Sequence, residues 1–373
     1  MYGEPADSRR LVAFNRHTGE QLWTRDAEFN FRHNTLAIAD GKLFELPKLS
    51  QEDRLRYAET RQFFEPLSEM YQHKGSSECR TGVETDDPAC GFEQIPRVRL
   101  ASITDPGNPP PASAFPPNAF LRNALKSGLA EEQAVGANPF KLGFVGSTDT
   151  HSAVPGGTDE ASFQGHQGSD DADPEGLLAG VANSPGGLAV VWAEESSRDS
   201  IFAAMRRRET YATSGTRPVV RFFAGWDLPA DLCNRPDFVQ TGYAQGVPMG
   251  GDLRAGGSSS RSPRFAVMAQ KDPGTGPDGT PGAPERQCVQ TRAGTRLQRL
   301  QIVKGWVDAA GAQHEKVWDV AGEADNGAGV DPRTCAPTGP GHNALCAVFE
   351  DPQFEFPQAI ELSDRHLLPP RAF

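Results

Sequence analysis

The hydrophobic pattern of this chain changes period twice, and this bounds what it can fold into. From Arg10 to Leu46 the apolar residues come in short β-like runs. From Ser50 to about Gly215 helical and extended segments alternate, and beyond Arg217 the pattern is extended again. A chain of 373 residues written this way implies two or three domains rather than one. The expected divisions are residues 1–48, 49–215 and 216–373.

In the first segment, "LVAFN" and "EQLW" flank "RHTG", and "TLAIA" and "KLFEL" flank Asp40-Gly41. Asp-Gly tolerates positive φ at both central positions, so four short strands in two hairpins are expected. After Pro47, Ser50 and Asp53 form a capping-box-like start for a helix to about Gln62. "EPLSEMYQ" reads as a strand that delivers "HKGSSEC", and a Pro/Gly-rich loop runs from about Thr81 to Pro117. Asn118 is placed to cap a helix with Leu121, Leu125 and Leu129 on one face, and Gly136 to end it. "FKLGFVGS" is the next strand, followed by a Gly/Asp-rich loop to about Pro185. "GGLAVVWAEE" is another, Ser196 with Asp199 opens a further helix, and "TYATSGTR" closes the unit. The alternation points to parallel α/β structure.

Five later runs, "VVRFFAGW", "RFAVMAQ", "LQRLQIVKGWVD", "EKVWDV" and "LCAVFE", are rich in β-branched and aromatic residues, which predicts a β-sandwich. "GTGPDGTPGAPERQ" reads as a flexible surface loop.

A formal net charge of −12 repels phosphate backbones and argues against a nucleic-acid partner. No run approaches the 18 apolar residues of a membrane span. The N-terminal "MYGEPADSRR" has no apolar core and does not read as a signal peptide. Six cysteines, with Cys79/Cys90 and Cys335/Cys346 equally spaced and no C-x-x-C pair, point to disulfides and an oxidising compartment rather than a zinc ribbon. Six cysteines allow 15 connectivities, and the sequence leaves the pairing open.

Chemistry concentrates after two of the strands. In extended chain, residues i and i+2 point the same way, so Asp149 and His151 of "GSTDTH" leave their strand on one side and can share a divalent cation. The competing reading is a carboxylate capping a turn beside a solvated histidine. "QHKGSSEC" offers His73 as a further ligand, Lys74 to face an anion, and Glu78 as a ligand or base; a Gly75-centred turn with an exposed lysine is the alternative. If both strands lie in one parallel sheet, their C-terminal ends share the edge where ligands bind. His166 in "FQGHQG" reads as an exposed loop histidine. Arg206, Arg207 and Arg208 read as helix-dipole partners, with anion binding second. His17, His33, His314, His342 and His366 read as surface residues.

Several strings in order resemble one bacterial family: "EPLSEMYQHKGSSECR", "CGFEQIP", "NPFKLGFVGSTDTH", "GGLAVVWAEESSRDSIFAAMRRRETYATSGTR", "GVPMGGDL" and "LQRLQIVKGWVD". They are similar to domain-of-unknown-function family 3604, a relative of the PHP (polymerase and histidinol phosphatase) superfamily, over roughly residues 50 to 355. The resemblance implies an incomplete PHP-like (β/α) barrel followed by a β-sandwich, in a periplasmic or secreted protein. It implies phosphoester hydrolysis with divalent metal (zinc, manganese or iron), on a small-molecule phosphate ester. It implies His73, Asp149 and His151 as ligands and leaves open a part for Glu78 and His166; the anion that Lys74 faces would then be the phosphate.

Residues 10–46 also resemble one blade of a quinoprotein-type β-propeller, a fold that a single blade cannot make. The H-x-H that opens PHP proteins is absent from this sequence, which leads to the expectation of a truncated or joined gene product with one ion rather than three and reduced or lost activity. An open barrel edge would favour an oligomer. The alternative from a different class is a non-catalytic secreted β-rich binding or scaffold protein carrying a barrel remnant.

Overall fold

The computed structural model describes residues 8–14, 18, 20–31, 36–39, 42–45, 50–91, 117–153, 165–166, 172, 184–254, 262–274, 294–331, 337–352 and 354. Two antiparallel hairpins come first: β1 (Ser8–Phe14) with β2 (Gln21–Phe31), and β3 (Leu36–Ala39) with β4 (Lys42–Glu45). Ala39 pairs with Lys42, the register that a two-residue turn requires.

Helix α1 (Gln51–Phe64) begins where Ser50 Oγ accepts the Asp53 N–H at 3.1 Å. It ends just before Pro66, whose ring disfavours helical backbone at the residue ahead of it. β5 (Leu67–Gln72) and the short β6 (Gly75–Ser76) form a tight hairpin. α2 (Leu121–Val135) buries Leu121, Leu125 and Leu129 on one face, as their spacing predicts. Its start differs from expectation. Phe120, not Asn118, is the N-cap, and Asn118 accepts a bond from Ser127 Oγ at 2.9 Å. The first amides of α2, Leu121 and Arg122, donate to the Ser77 and Glu78 carbonyls at 3.0 and 3.1 Å, so neighbouring backbone satisfies the helix start. Gly136, at φ 92°, ends the helix in the left-handed conformation glycine favours.

β7 (Gly143–Gly146) pairs parallel with β5, from Leu67 opposite Gly143 to Tyr71 opposite Gly146. β8 (Leu188–Val191) and β9 (Thr210–Thr213) pair antiparallel on either side of α3 (Arg198–Arg206) in sequence, and both touch β7. The α3 cap is Ser197 rather than Ser196; its Oγ accepts the Ser200 N–H at 3.3 Å. The described residues form no closed barrel. The parallel α/β expectation is met by β5 with β7, while β8 and β9 make a separate antiparallel pair.

The C-terminal part is a four-stranded antiparallel sheet in the order β11 (Val247–Pro248), β10 (Val219–Gly225), β12 (Arg264–Gln270), β17 (Ala344–Glu350). The hairpin of β13 (Arg299–Val307) and β14 (Gln313–Gly322) lies against β17, with the Trp318 and Phe349 rings 5.2 Å apart. A small pair, β15 (Gly329–Val330) with β16 (Pro337–Thr338), completes it. A sheet with a packed hairpin is less than a full sandwich. It also includes a helix where the pattern reads as β only, α4 (Phe238–Gln245). Gly242 makes this helix fit: a Cβ there would lie 2.5 Å from the Phe223 ring. Phe223, Leu228, Leu232, Phe238 and Ala266 form the core between helix and sheet.

Two disulfides are present, Cys79–Cys90 and Cys233–Cys346. The pairing that the sequence leaves open is settled for Cys346 by packing: on β17 it meets Cys233 beside the core of the C-terminal part. Cys288, Cys335 and the loop centred on "GTGPDGTPG" lie outside the described residues. Among the described residues, no helix is long and apolar enough to cross a membrane.

Candidate metal centre

Gln72 pairs with Gly75, so His73 and Lys74 are the two central residues of the hairpin that ends β5. Asp149 and His151 follow β7. Because β5 and β7 run parallel, both segments emerge at one sheet edge, and the Ser147 N–H to Tyr71 carbonyl bond at 2.9 Å carries the pairing past the strand end. The backbone then turns sharply at Asp149, which holds a positive φ of 51°.

The result is a group of three donors. One ligand atom from each of His73, Asp149 and His151 lies within 4.8 Å of the others. His73 Nε2 is 3.1 Å from Asp149 Oδ2, and Lys74 Nζ is 2.6 Å from the same oxygen. His73 is fully buried, Asp149 is part-buried, and His151 is exposed, so the group opens to solvent on the His151 side.

The electrostatics follow from burial. Burial lowers the His73 pKa to about 4, the neighbouring His166 adds to this, and Asp149 opposes it; His73 is therefore neutral near pH 7, the form that ligates metals. Burial works to raise the Asp149 carboxyl, but the bond and charge of Lys74, with help from His73, outweigh it and hold the pKa below the ordinary carboxylate value.

The residues fit a divalent ion. Two imidazoles and a carboxylate are the donor set of a three-ligand catalytic site with an open position. Tetrahedral bonds of about 2.0–2.1 Å place neighbouring donors roughly 3.3 Å apart, close to the 3.1 Å His73–Asp149 separation.

A family model described as "Protein of unknown function (DUF3604)" matches residues 18–360. This chain belongs to that family. No curated protein and no solved structure matches it. The DUF3604 match begins before β2, so it takes in β2, β3 and β4 as well as the part from about residue 50 where the resemblance is read.

Two residues of this DUF3604 chain differ from their sequence reading. His166 is fully buried, not an exposed loop residue; its ring centre is 4.5 Å from that of His73. Its Nε2 lies 2.9 Å from the Ser184 carbonyl oxygen, which can only accept, so Nε2 carries the proton. Nδ1 then accepts from Thr150 Oγ1 at 2.9 Å. With both nitrogens engaged, His166 walls the site; its own carbonyl accepts the His151 N–H at 2.7 Å. Nothing in the spacing of "FQGHQG" signals this, because the partners are 16 and 18 residues away.

Glu78 is not part of the donor group. It points to Arg122 Nη2 at 2.6 Å, in a buried charge cluster that also holds Asp87 and Glu315. Instead of joining the donors it makes an ion pair, because α2 brings the Arg122 guanidinium against it.

The arginine run after α3 is likewise occupied. Arg206 bonds the Phe63 carbonyl and lies 4.6 Å over the Phe63 ring, and Arg208 bonds the Gly250 carbonyl at 3.0 and 2.8 Å. Arg207 reaches Glu209 at 3.4 Å. His342 is exposed, and His314, part-exposed, stacks on Trp306 and pairs with Asp308 at 2.8 Å. His17, His33 and His366 lie outside the described residues.

Proposed function

We propose that this chain is a metal-dependent hydrolase of PHP type that cleaves phosphate esters. The observation that carries the reading is the meeting of His73, Asp149 and His151 donors at the shared edge of β5 and β7. Under this reading residues 49–215 correspond to part of a PHP-like barrel, residues 216–373 to a β-rich domain and residues 1–48 to a separate hairpin segment. The two disulfides support an oxidising compartment, periplasmic or extracellular.

His73, Asp149 and His151 would hold one divalent ion, zinc, manganese or iron. Such an ion polarises a phosphoryl oxygen and lowers the pKa of an attacking water. The chain's own residues do the rest. Burial keeps His73 neutral, and the packed His166 ring keeps water from its inner side. The exposed His151 side admits the ester, and the Lys74 ammonium is within reach to meet the phosphate as a point charge.

The test uses the whole chain, loaded with zinc, manganese or iron. The expected result is about one ion per chain, phosphomonoester hydrolysis abolished by chelator, and loss of the ion in His151→Ala, a substitution at an exposed side chain. Absence of bound metal under all three conditions overturns the reading and leaves the non-catalytic β-rich module. Bound metal without hydrolysis leaves a metal-binding protein that is not this enzyme.

A further inference from the structure

Asp149 Oδ2 has two suitors. It is 3.1 Å from His73 Nε2, where a shared ion would sit, and 2.6 Å from Lys74 Nζ. A divalent ion on that oxygen and an ammonium on the same oxygen would repel at contact distance, so each weakens the other's hold.

The two partners differ in freedom. His73 is fully buried in a two-residue turn, with the His166 ring against it. Lys74 has a side chain 20 % exposed on a four-carbon stem, and it can swing towards solvent without moving the backbone. Because Lys74 is bonded to His73 in the chain, a displaced ammonium stays at the rim of the site, where an anion would enter.

We propose that Lys74 is the exchangeable cation of this site. Its ammonium neutralises Asp149 when no metal is held, yields that oxygen to an incoming divalent ion, and then turns to the anionic group of the substrate. The exchange rests on the metal reading above. It goes beyond that reading because it makes one side chain weaken metal binding and strengthen anion binding.

The experiment compares wild type with Lys74→Met, which keeps length and removes charge, as full chains stripped with chelator. Titration calorimetry with zinc alone and with manganese alone is expected to show metal bound about tenfold or more tightly by Lys74→Met. The metal-loaded Lys74→Met protein is expected to bind inorganic phosphate about tenfold or more weakly than the loaded wild type. A merely structural role would not move two affinities in opposite directions.

Equal or weaker metal binding by Lys74→Met overturns the exchange, and so does unchanged phosphate affinity. If wild type binds metal and His151→Ala does not, while Lys74→Met matches wild type, the metal reading stands and the exchange falls. If neither wild type nor Lys74→Met binds zinc or manganese, the exchange falls, and the metal reading falls with it when iron is not bound either. Metal held by Lys74→Met alone shows that Lys74 does not yield Asp149 to an ion in the native chain, and overturns the exchange.

Discussion

Asp237, at the start of α4, binds Arg235 with both carboxylate oxygens, at 3.0 and 2.9 Å, and accepts from Thr241 Oγ1 at 2.9 Å. The bonds from Arg235 and then Thr241 lower its pKa to about 2. The folded pKa lies below the unfolded value, so this contribution to stability is complete above about pH 4 and is lost as pH falls towards 2. Asp237→Asn is expected to be less stable than wild type at pH 5, with the gap narrowing towards pH 2.5, as read from urea midpoints. A gap independent of pH would show that the carboxylate charge is not what matters. Asp149 shows the same logic at the candidate site, where Lys74 outweighs burial and keeps the carboxylate charged.

At the scale of elements, β7 decides whether the donors meet. It lies between β5 and the β8–β9 pair, and Gly146 is closely packed against the backbone of that pair. A Cβ there would lie 2.8 Å from the Leu188 carbonyl oxygen and 2.9 Å from that of Thr213, and backbone carbonyls cannot step aside as a side-chain end can. Gly146→Ala is therefore expected to cost about 1–3 kcal/mol in denaturant unfolding. It should also shift Asp149 and His151 relative to His73, so metal affinity falls together with stability. Wild-type stability in the variant would show that β8 and β9 yield easily.

At the scale of the whole molecule, the α/β part and the β-rich part meet through charge. Arg122 on α2 binds Asp87 at 2.8 Å and Glu315, on the β14 strand, at 3.1 Å; Lys126 approaches Glu315 at 3.4 Å. Burial works against the Arg122 charge, but Glu78, Asp87 and Glu315 outweigh it and raise its pKa. Asp87 and Glu315 are themselves buried, with side chains 3 % and 8 % exposed. Arg122→Met leaves them without their main partner and is expected to cost about 3–5 kcal/mol. Thermal unfolding should show the loss, and a second substitution, Glu315→Gln, should restore part of it. Additive losses in the double variant would mean that the cluster does not act as a unit.

Much of the local architecture was legible in the sequence. Asp40-Gly41, Ser50, the Leu121–Leu125–Leu129 face and Gly136 act through neighbours a few residues away, and each stands at or beside the element it predicts. The strands of the β-rich part were legible for the same reason, while α4 was not, because its helix depends on Phe223 packing over Gly242. The α2 cap was missed because its amides bond to Ser77 and Glu78, more than forty residues away in sequence. Of the candidate site, the D-x-H string singled out Asp149 and His151, and the strand end singled out His73 with Lys74; the extended geometry expected for Asp149 and His151 is replaced by a turn, with Asp149 at φ 51°.

The sequence by itself determined which segments become strands and helices, α4 excepted, along with the acidic charge and the short motifs that carry metal-type donors, because these depend on residue identity and spacing. Only the tertiary structure decided the rest. It paired Cys346 with Cys233, took Glu78 into the Arg122 cluster and buried His166 beside His73. It also brought two strand ends 76 residues apart to one edge. Those outcomes depend on parallel pairing and on where α2 packs, and such long-range contacts leave no periodic mark in the chain.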